Sequence, residues 1–267
     1  MKEKAASTEP YKNLFALQNK VAIVTGGNGH LGTSITKALA SFGATVFVFS
    51  RNDYSFQALS DFHENIHFVK CDVTDEKHFR HEVATLQKSF SNIDILVNNA
   101  FNERRKQIED ITKSEWNVGI ENILSQVFFC TQAVLPGMLK AGHGAIVNIG
   151  SIYGFLGHNQ DAYQEVKSSS IFYSVAKGGV IQMTRRLATE YASKGIRVNC
   201  ISPGNFPKKT KGSPNRPGYI VALSEKTPMK RVGHPDEICG AVVYLSSQAS
   251  SYVTGQNLIV DGGWSAW

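Results

Sequence analysis

Apolar residues in this chain fall into short unbroken blocks, separated by longer stretches in which they recur every three or four positions. The blocks KVAIVT (20–25), ATVFVFS (44–50), IHFVKCD (66–72) and IDILVNNA (93–100) have the length and β-branched content of strands. Between them, LGTSITKALASFG (31–43), SFQALSDFHE (55–64) and EKHFRHEVATLQKSF (76–90) set apolar residues on one helical face. Later strand blocks at GAIVNIGS (144–151), IRVNCIS (196–202) and QNLIVDGG (256–263) alternate with helical stretches at 115–139, 172–193 and 235–247. Strands that are apolar on both sides need cover on both faces. The order therefore predicts an α/β fold: one Rossmann-like, doubly wound parallel sheet in a single domain, with helices on both faces. Right-handed crossovers then bring ligands to the carboxyl ends of the strands. A polar leader is expected over 1–18 and the domain over 19–267. Substrate loops are expected at about 154–171 and 203–220, irregular stretches that each follow a predicted strand.

The first strand ends in TGGNGHLG, residues 25–32, and a helical pattern begins at once. Gly27, Gly29 and Gly32 fit G-x-G-x-x-G, in which glycines allow a tight turn and close approach of backbone to a diphosphate. The unpaired amides and positive dipole end of the following helix favour that charge, so Gly26, Asn28, Gly29, His30, Leu31 and Gly32 are candidate cofactor contacts. A carboxylate about 20 residues beyond such a loop would mark NAD through the ribose hydroxyls. Ser50 and Arg51 stand there instead. A hydroxyl and a guanidinium suit a 2′-phosphate, which favours NADP(H) while leaving NAD(H) open.

The 267 residues, 42% hydrophobic, suffice for a sizeable core. The formal charge of +6 comes without long basic runs or basic–aromatic alternation, so no nucleic-acid partner is expected. No unbroken apolar run reaches the ~20 residues of a membrane span, and the N-terminal segment lacks a signal-peptide centre, which makes a cytoplasmic protein with no membrane partner the expectation. Cys71, Cys130, Cys200 and Cys239 are far apart and form no metal-binding pattern, so they read as reduced structural residues and no metal site is expected.

Two tyrosines are each followed four residues later by lysine: Tyr163 with Lys167, and Tyr173 with Lys177. Residues four apart share a helical face, and an ammonium beneath a phenol favours the phenolate, which makes the tyrosine a usable acid/base near neutral pH. Helical spacing continues after Tyr173 through Val180, Thr184, Leu187, Ala188 and Tyr191, whereas Tyr163 is followed by the helix-poor run 168–172, SSSIF.

Together these segments resemble the short-chain dehydrogenase/reductase family. The resemblance is carried by TGxxxGxG at Thr25–Gly32, CDVTD at 71–75, NNA at 98–100, NIGS at 148–151, YSVAK at 173–177, IRVNCISPG at 196–204 and SSYVTGQNLIVDGG at 250–263. It implies catalytic roles for Ser151, Tyr173 and Lys177. The family's spacing of about a dozen residues after Ser151 would select Tyr163, but the stretch from Tyr173 to Pro203 runs without a gap as in the family, so the downstream resemblance selects Tyr173 and places about nine to ten extra residues before it. It further implies that Asp72 and Val73 meet the adenine, that Asn99 and Ala100 meet the ribose side, and that Pro203, Gly204 and Phe206 meet the nicotinamide, with Lys177 also holding the ribose. A homotetramer is expected from the resemblance and from the apolar terminus LIVDGGWSAW.

Three positions depart from the family pattern. His30 takes the place of its middle glycine, Lys208 that of a threonine, and Ile123 that of the asparagine that helps hold a relay water. Asn122 precedes Ile123 by about 100° of helix and would serve only in a locally distorted helix, so no site role is assigned to it. The insertion HNQDAYQEVKSSS and the terminus look similar to members acting on sugars, sugar acids or polyols, and Lys167, Lys208 and Lys209 would draw an anionic small-molecule substrate. The expected activity is NADP(H)-linked interconversion of alcohol and ketone or aldehyde. Reduction of 3-oxoacyl thioesters is the alternative, and a cofactor-binding regulator without turnover is the rival from another class.

Overall fold

The computed structural model describes residues 11–102, 105–158, 170–208 and 217–267. Seven strands form one parallel sheet in the order β3-β2-β1-β4-β5-β6-β7: β1 Val21–Thr25, β2 Thr45–Ser50, β3 Ile66–Lys70, β4 Ile95–Asn98, β5 Gly144–Ile149, β6 Ile196–Pro203 and β7 Asn257–Val260. The strand order reverses between β1 and β4. A crevice at the carboxyl ends of the strands belongs at that switch point.

Alternation along each strand divides the core into two layers, one per face of the sheet. On one face Ala22, Val24, Val46, Val48, Ile95 and Val97 pack with Ile35 and Leu39 of α1 (His30–Ser41) and with Val242 and Leu245 of α8 (Cys239–Ser246). On the other, Ile23, Phe49, Leu96 and Ile146 meet Phe79 and Val83 of α3 (Glu76–Ser89), Val134 and Met138 of α5 (Gln126–Ala141), and Leu187 of α6 (Ile171–Tyr191). Two-sided burial explains the unbroken apolar blocks of the sequence.

Several boundaries differ from the expectation. The leader does not end at 18: a 3-10 turn at Lys12–Phe15 leads into Leu17, 1% exposed, whose N–H donates to the Phe42 carbonyl. Only α2 (Gln57–Ser60) is regular helix within 55–64, with Phe56 and Leu59 packing inward. The stretch 203–220 is not wholly irregular, because α7 (Pro217–Lys226) begins in it, with proline at the helix start where its missing N–H costs nothing. Finally, α4 (Lys113–Ile120) runs into α5 through one turn of π-helix, Glu121–Ser125. The continuous helix of 29 residues, Lys113–Ala141, is long and apolar enough to cross a bilayer, yet half of its most apolar window is buried inside the domain, as in a core helix.

Candidate active site

The glycine loop between β1 and α1 is shaped by two backbone requirements. Gly26 has φ +61°, a left-handed conformation that side chains disfavour, and a Cβ on Gly32 would lie 2.1 Å from the Gly26 carbonyl oxygen. Gly32 therefore stands behind the loop as packing, while Gly26, Asn28, Gly29, His30 and Leu31 face the cavity. The N-terminus of α1 has no side-chain cap and no acidic residue in its first turn. Its amides and dipole are left for an anion.

The cavity measures about 1100 Å³ and extends along the carboxyl ends of the strands. At one end stand Ser50, the last residue of β2, and Arg51 after it, with Asp72 and Val73 after β3. Asp72 accepts from the N–H and hydroxyl of Thr74 through the same oxygen, at 3.0 and 2.8 Å. In the middle, Asn99 is committed to the loop: its side-chain amide donates to the Thr25 and Gly26 carbonyls, both at 3.0 Å, while the Asn99 and Ala100 N–H groups meet the Thr25 hydroxyl. Asn99 thus braces the turn over which a dinucleotide would lie. At the far end lie Ser151 after β5, Tyr173 and Lys177 of α6, Pro203 at the end of β6, and Gly204 and Phe206 after it.

Ser151 is 5% exposed and its Oγ accepts the Tyr153 N–H at 3.1 Å, which leaves the hydroxyl proton to donate elsewhere. Helix α6 starts at Ile171, so Tyr173 and Lys177 occupy its first two turns on one face. Lys177 is 3% exposed; its Nζ donates to the Ile149 carbonyl at 2.6 Å and lies 5.8 Å from the centre of the Tyr173 ring. Gly154 is needed beside it, because a Cβ there would meet the Lys177 carbonyl oxygen at 2.9 Å. Tyr163, Lys167, Lys209 and Thr210 lie outside the described residues.

The π turn decides where residues 122 and 123 go. Ile123 is fully buried against Phe172 and Ala176, and Asn122 lines the cavity. A π turn absorbs one extra residue in a helix and re-phases everything before it, which supplies the distortion an ideal helix lacks. Gln126, one turn on, donates from its side-chain amide to the Asn122 carbonyl and, at 2.7 Å, to the Ala100 carbonyl. The sequence assigns Asn122 no site role, and the structure sets it on the cavity wall. Gly119, Ile123 and Phe172 hold the turn, since a Cβ on Gly119 would fall 2.4 Å from the Phe172 ring.

Other wall residues are not singled out by any motif, although Tyr219 falls in the expected substrate loop 203–220 and His158 opens the expected insertion within 154–171. His158 stacks on Tyr153 at 3.5 Å and 17°, and Arg105 and Tyr219 complete this side of the cavity. Burial pushes the Tyr153 and Tyr219 hydroxyls up, so both are proton donors at neutral pH; burial and then the Arg105 charge hold His158 below its ordinary value and neutral. Arg105 opposes the shift of Tyr219, so its guanidinium acts on both groups. Arg105 lies on a loop without periodicity and outside both expected substrate loops, so nothing in the sequence places it in advance.

A glycine loop at the switch point, a cavity spanning six strand ends, and a buried lysine one turn from a tyrosine fit a nicotinamide dinucleotide with its reacting end at Tyr173. Residues 28–265 match the family model described as enoyl-(acyl carrier protein) reductase, of the short-chain alcohol dehydrogenase class. The chain belongs to the short-chain dehydrogenase/reductase family. It is 34% identical to gluconate 5-dehydrogenase of Gluconobacter oxydans over 95% of this chain and 97% of that one. It is also 34% identical to the 3-oxoacyl-[acyl-carrier-protein] reductase of Escherichia coli, over 92% and 97%. The solved gluconate 5-dehydrogenase of Burkholderia cenocepacia, in complex with NADP and tartrate, superposes with a TM-score of 0.86 at 29% identity, covering 96% of this chain and 98% of that one. As a family member this chain is an oxidoreductase with a Rossmann-type NAD(P)-binding domain.

Proposed function

We propose that this chain interconverts an alcohol and a ketone or aldehyde on a polar, anionic small molecule of the sugar-acid or polyol kind, using NADP(H). The observation that carries the substrate class is Arg105 on the cavity wall with Tyr153, His158 and Tyr219, a cation among hydrogen-bonding groups on the Ser151–Tyr173 side. Lys208, also on the wall, adds positive charge. For the cofactor, Ser50, Arg51, Asn52, Tyr54 and Ser55 line the end away from Tyr173, so β2 and the loop after it would offer a guanidinium and no carboxylate to a ribose bound there. The similarity to a gluconate 5-dehydrogenase solved with NADP points the same way.

A nicotinamide held beside Tyr173, Lys177, Pro203, Gly204 and Phe206 would supply the hydride in reduction and accept it in oxidation. In reduction the Tyr173 hydroxyl donates a proton to the carbonyl oxygen, and in oxidation the phenolate takes one from the alcohol. Ser151, whose Oγ already accepts a backbone N–H, donates its hydroxyl proton to the reacting oxygen. Lys177, buried beside the ring, stabilises negative charge as it develops on the phenol oxygen. Asn122 and Gln126 act as positioning residues, fixing the turn between the Ala100 carbonyl and the substrate side. The exposed apolar side chains of edge strand β7, Leu258 and Ile259, with Trp267 beyond, favour a homotetramer, and the reading places the enzyme in the cytoplasm.

Similarity to a 3-oxoacyl reductase makes a thioester ketone the second reading. Reduced-nicotinamide absorbance would be followed with NADP(H) and NAD(H) across sugar acids, polyols, their keto forms and 3-oxoacyl thioesters, with Tyr173→Phe and Tyr163→Phe in parallel. Turnover of sugar acids lost only in Tyr173→Phe supports the proposal. Activity that depends on Tyr163 instead would sink the residue assignment, thioester-only activity the substrate class, and cofactor binding without turnover the enzyme reading.

A further inference from the structure

His30 is unused by the mechanism above, yet it stands where the family resemblance expects glycine. It is the first residue of α1, half-buried on the cavity wall beside Gly29 and Leu31. Its Nε2 lies 3.0 Å from the carbonyl oxygen of Phe206, 176 residues along the chain. A carbonyl only accepts, so Nε2 carries the proton and donates. The segment it holds is braced elsewhere too: Gly204 N–H donates to the Val260 carbonyl and Gly233 N–H to the Asn205 carbonyl, both at 2.9 Å. A Cβ on Gly233 would lie 2.6 Å from the Phe206 ring, so the ring is clamped while its carbonyl turns toward the glycine loop. The His30 bond is thus a direct strut between the phosphate-binding turn and the loop at the reacting end of the cofactor.

We propose that His30 is a positioning residue that ties these two loops together and takes up a proton from solvent when a nucleotide diphosphate binds. The inference rests on the dinucleotide site of the proposed activity. The charged groups facing the imidazole from packed elements are Lys208, from the loop after β6, and His234, before the 3-10 turn Pro235–Ile238. On that same turn Asp236 is engaged by the Ser34 hydroxyl at 2.6 Å and by His234 at 3.4 Å. Burial, Lys208 and His234 together hold the ring neutral, outweighing the bond to Phe206. An arriving diphosphate places negative charge at the start of α1 and reverses that balance, so a second ring N–H becomes favourable. By linkage, whatever raises the proton affinity of His30 is itself bound more tightly as pH falls.

Three proteins separate the strut from the proton: the wild type, His30→Gln, whose amide nitrogen can reach Phe206 but does not titrate, and His30→Gly, which has neither. Titration calorimetry with NADH and NADPH between pH 6 and 8, in buffers of different ionisation enthalpy, counts protons taken up without any substrate. The 2′-phosphate of NADPH, which itself titrates near about pH 6, contributes alike to all three and cancels in the comparison. The wild type is expected to take up a proton fraction that both variants lack, and to bind up to about tenfold more tightly at low pH for each unit by which binding raises the His30 pKa. His30→Gln is expected to keep several-fold more of kcat than His30→Gly, with melting temperatures confirming that both are folded. Equal proton uptake in all three, or His30→Gln turning over no faster than His30→Gly, would overturn the inference. A wild type that binds neither nucleotide would overturn the dinucleotide site and with it the proposed activity.

Discussion

Restoring the residue that linear alignment with the family expects, by Ile123→Asn, should damage this protein. The Ile123 side chain is fully buried among Phe172, Ala176 and Trp116. Losing that burial costs about 1.5–3 kcal/mol. An amide in the same space, with apolar side chains around it, is left unpaired at about 1–3 kcal/mol more. The sum, about 2.5–6 kcal/mol, corresponds to a melting temperature lower by on the order of 5–25 °C for a chain of this size. Asn122→Ala removes a cavity-lining group and should move the melting temperature by no more than a few degrees while lowering kcat by about tenfold to a hundredfold, in the range of lost positioning. Thermal unfolding and steady-state kinetics on the two variants separate these effects. A stable Ile123→Asn protein with undiminished activity would mean that position 123 faces the cavity, and would refute the re-phasing of the helix by the π turn.

Gly32→Ala should lower the melting temperature and weaken cofactor binding together, since the added methyl would sit 2.1 Å from the Gly26 oxygen and overpacking costs about 1–3 kcal/mol; Gly240→Ala, with open space around it on α8, is the control and should be neutral or stabilising by calorimetry. Arg105→Ala should raise KM for a carboxylate substrate by at least about tenfold while leaving KM for an uncharged polyol within about twofold, a split read from paired kinetics. Arg51→Asp should move cofactor preference from NADPH toward NADH, measured as the ratio of kcat/KM values. Burial pushes the Cys71 thiol up to about 12 and those of Cys200 and Cys239 to about 11, so thiol labelling of the native protein should be slow at pH 7.5 and fast after unfolding. The sign follows for stability: a thiol held neutral in the fold contributes fully below the unfolded value near 9, and that contribution fades as pH rises toward 11–12.

The strands were legible because burial on both faces leaves an unbroken apolar signature, and all seven appear where the blocks lie. The glycine turn was legible because a left-handed Gly26 and a close-packed Gly32 admit almost nothing else. Helix α2 shrank to Gln57–Ser60 because Phe56 and Leu59 bury inward without the further apolar positions that would extend the face. Helix α7 was hidden by Pro217 and Gly218, which read as loop even though proline is tolerated at a helix start. Arg105 reaches the cavity from a loop that no period announces, whereas His158 comes from the expected substrate loop 154–171.

Asn122 and His30 share a deeper reason for having looked like defects. Both were judged against a pattern indexed by position in sequence, whereas the site is indexed by position in space. A single π turn shifts that index by one residue, so the asparagine missing at 123 is present on the cavity wall at 122, and the isoleucine in its place is core. At position 30 the index is unchanged but the neighbour is new: a side chain where the pattern has none meets a carbonyl 176 residues away, and gives a bond that no local motif encodes. Neither departure from the family pattern is therefore a loss at the site. The one relocates a polar group into the site, and the other fastens the two ends of the cofactor channel to each other.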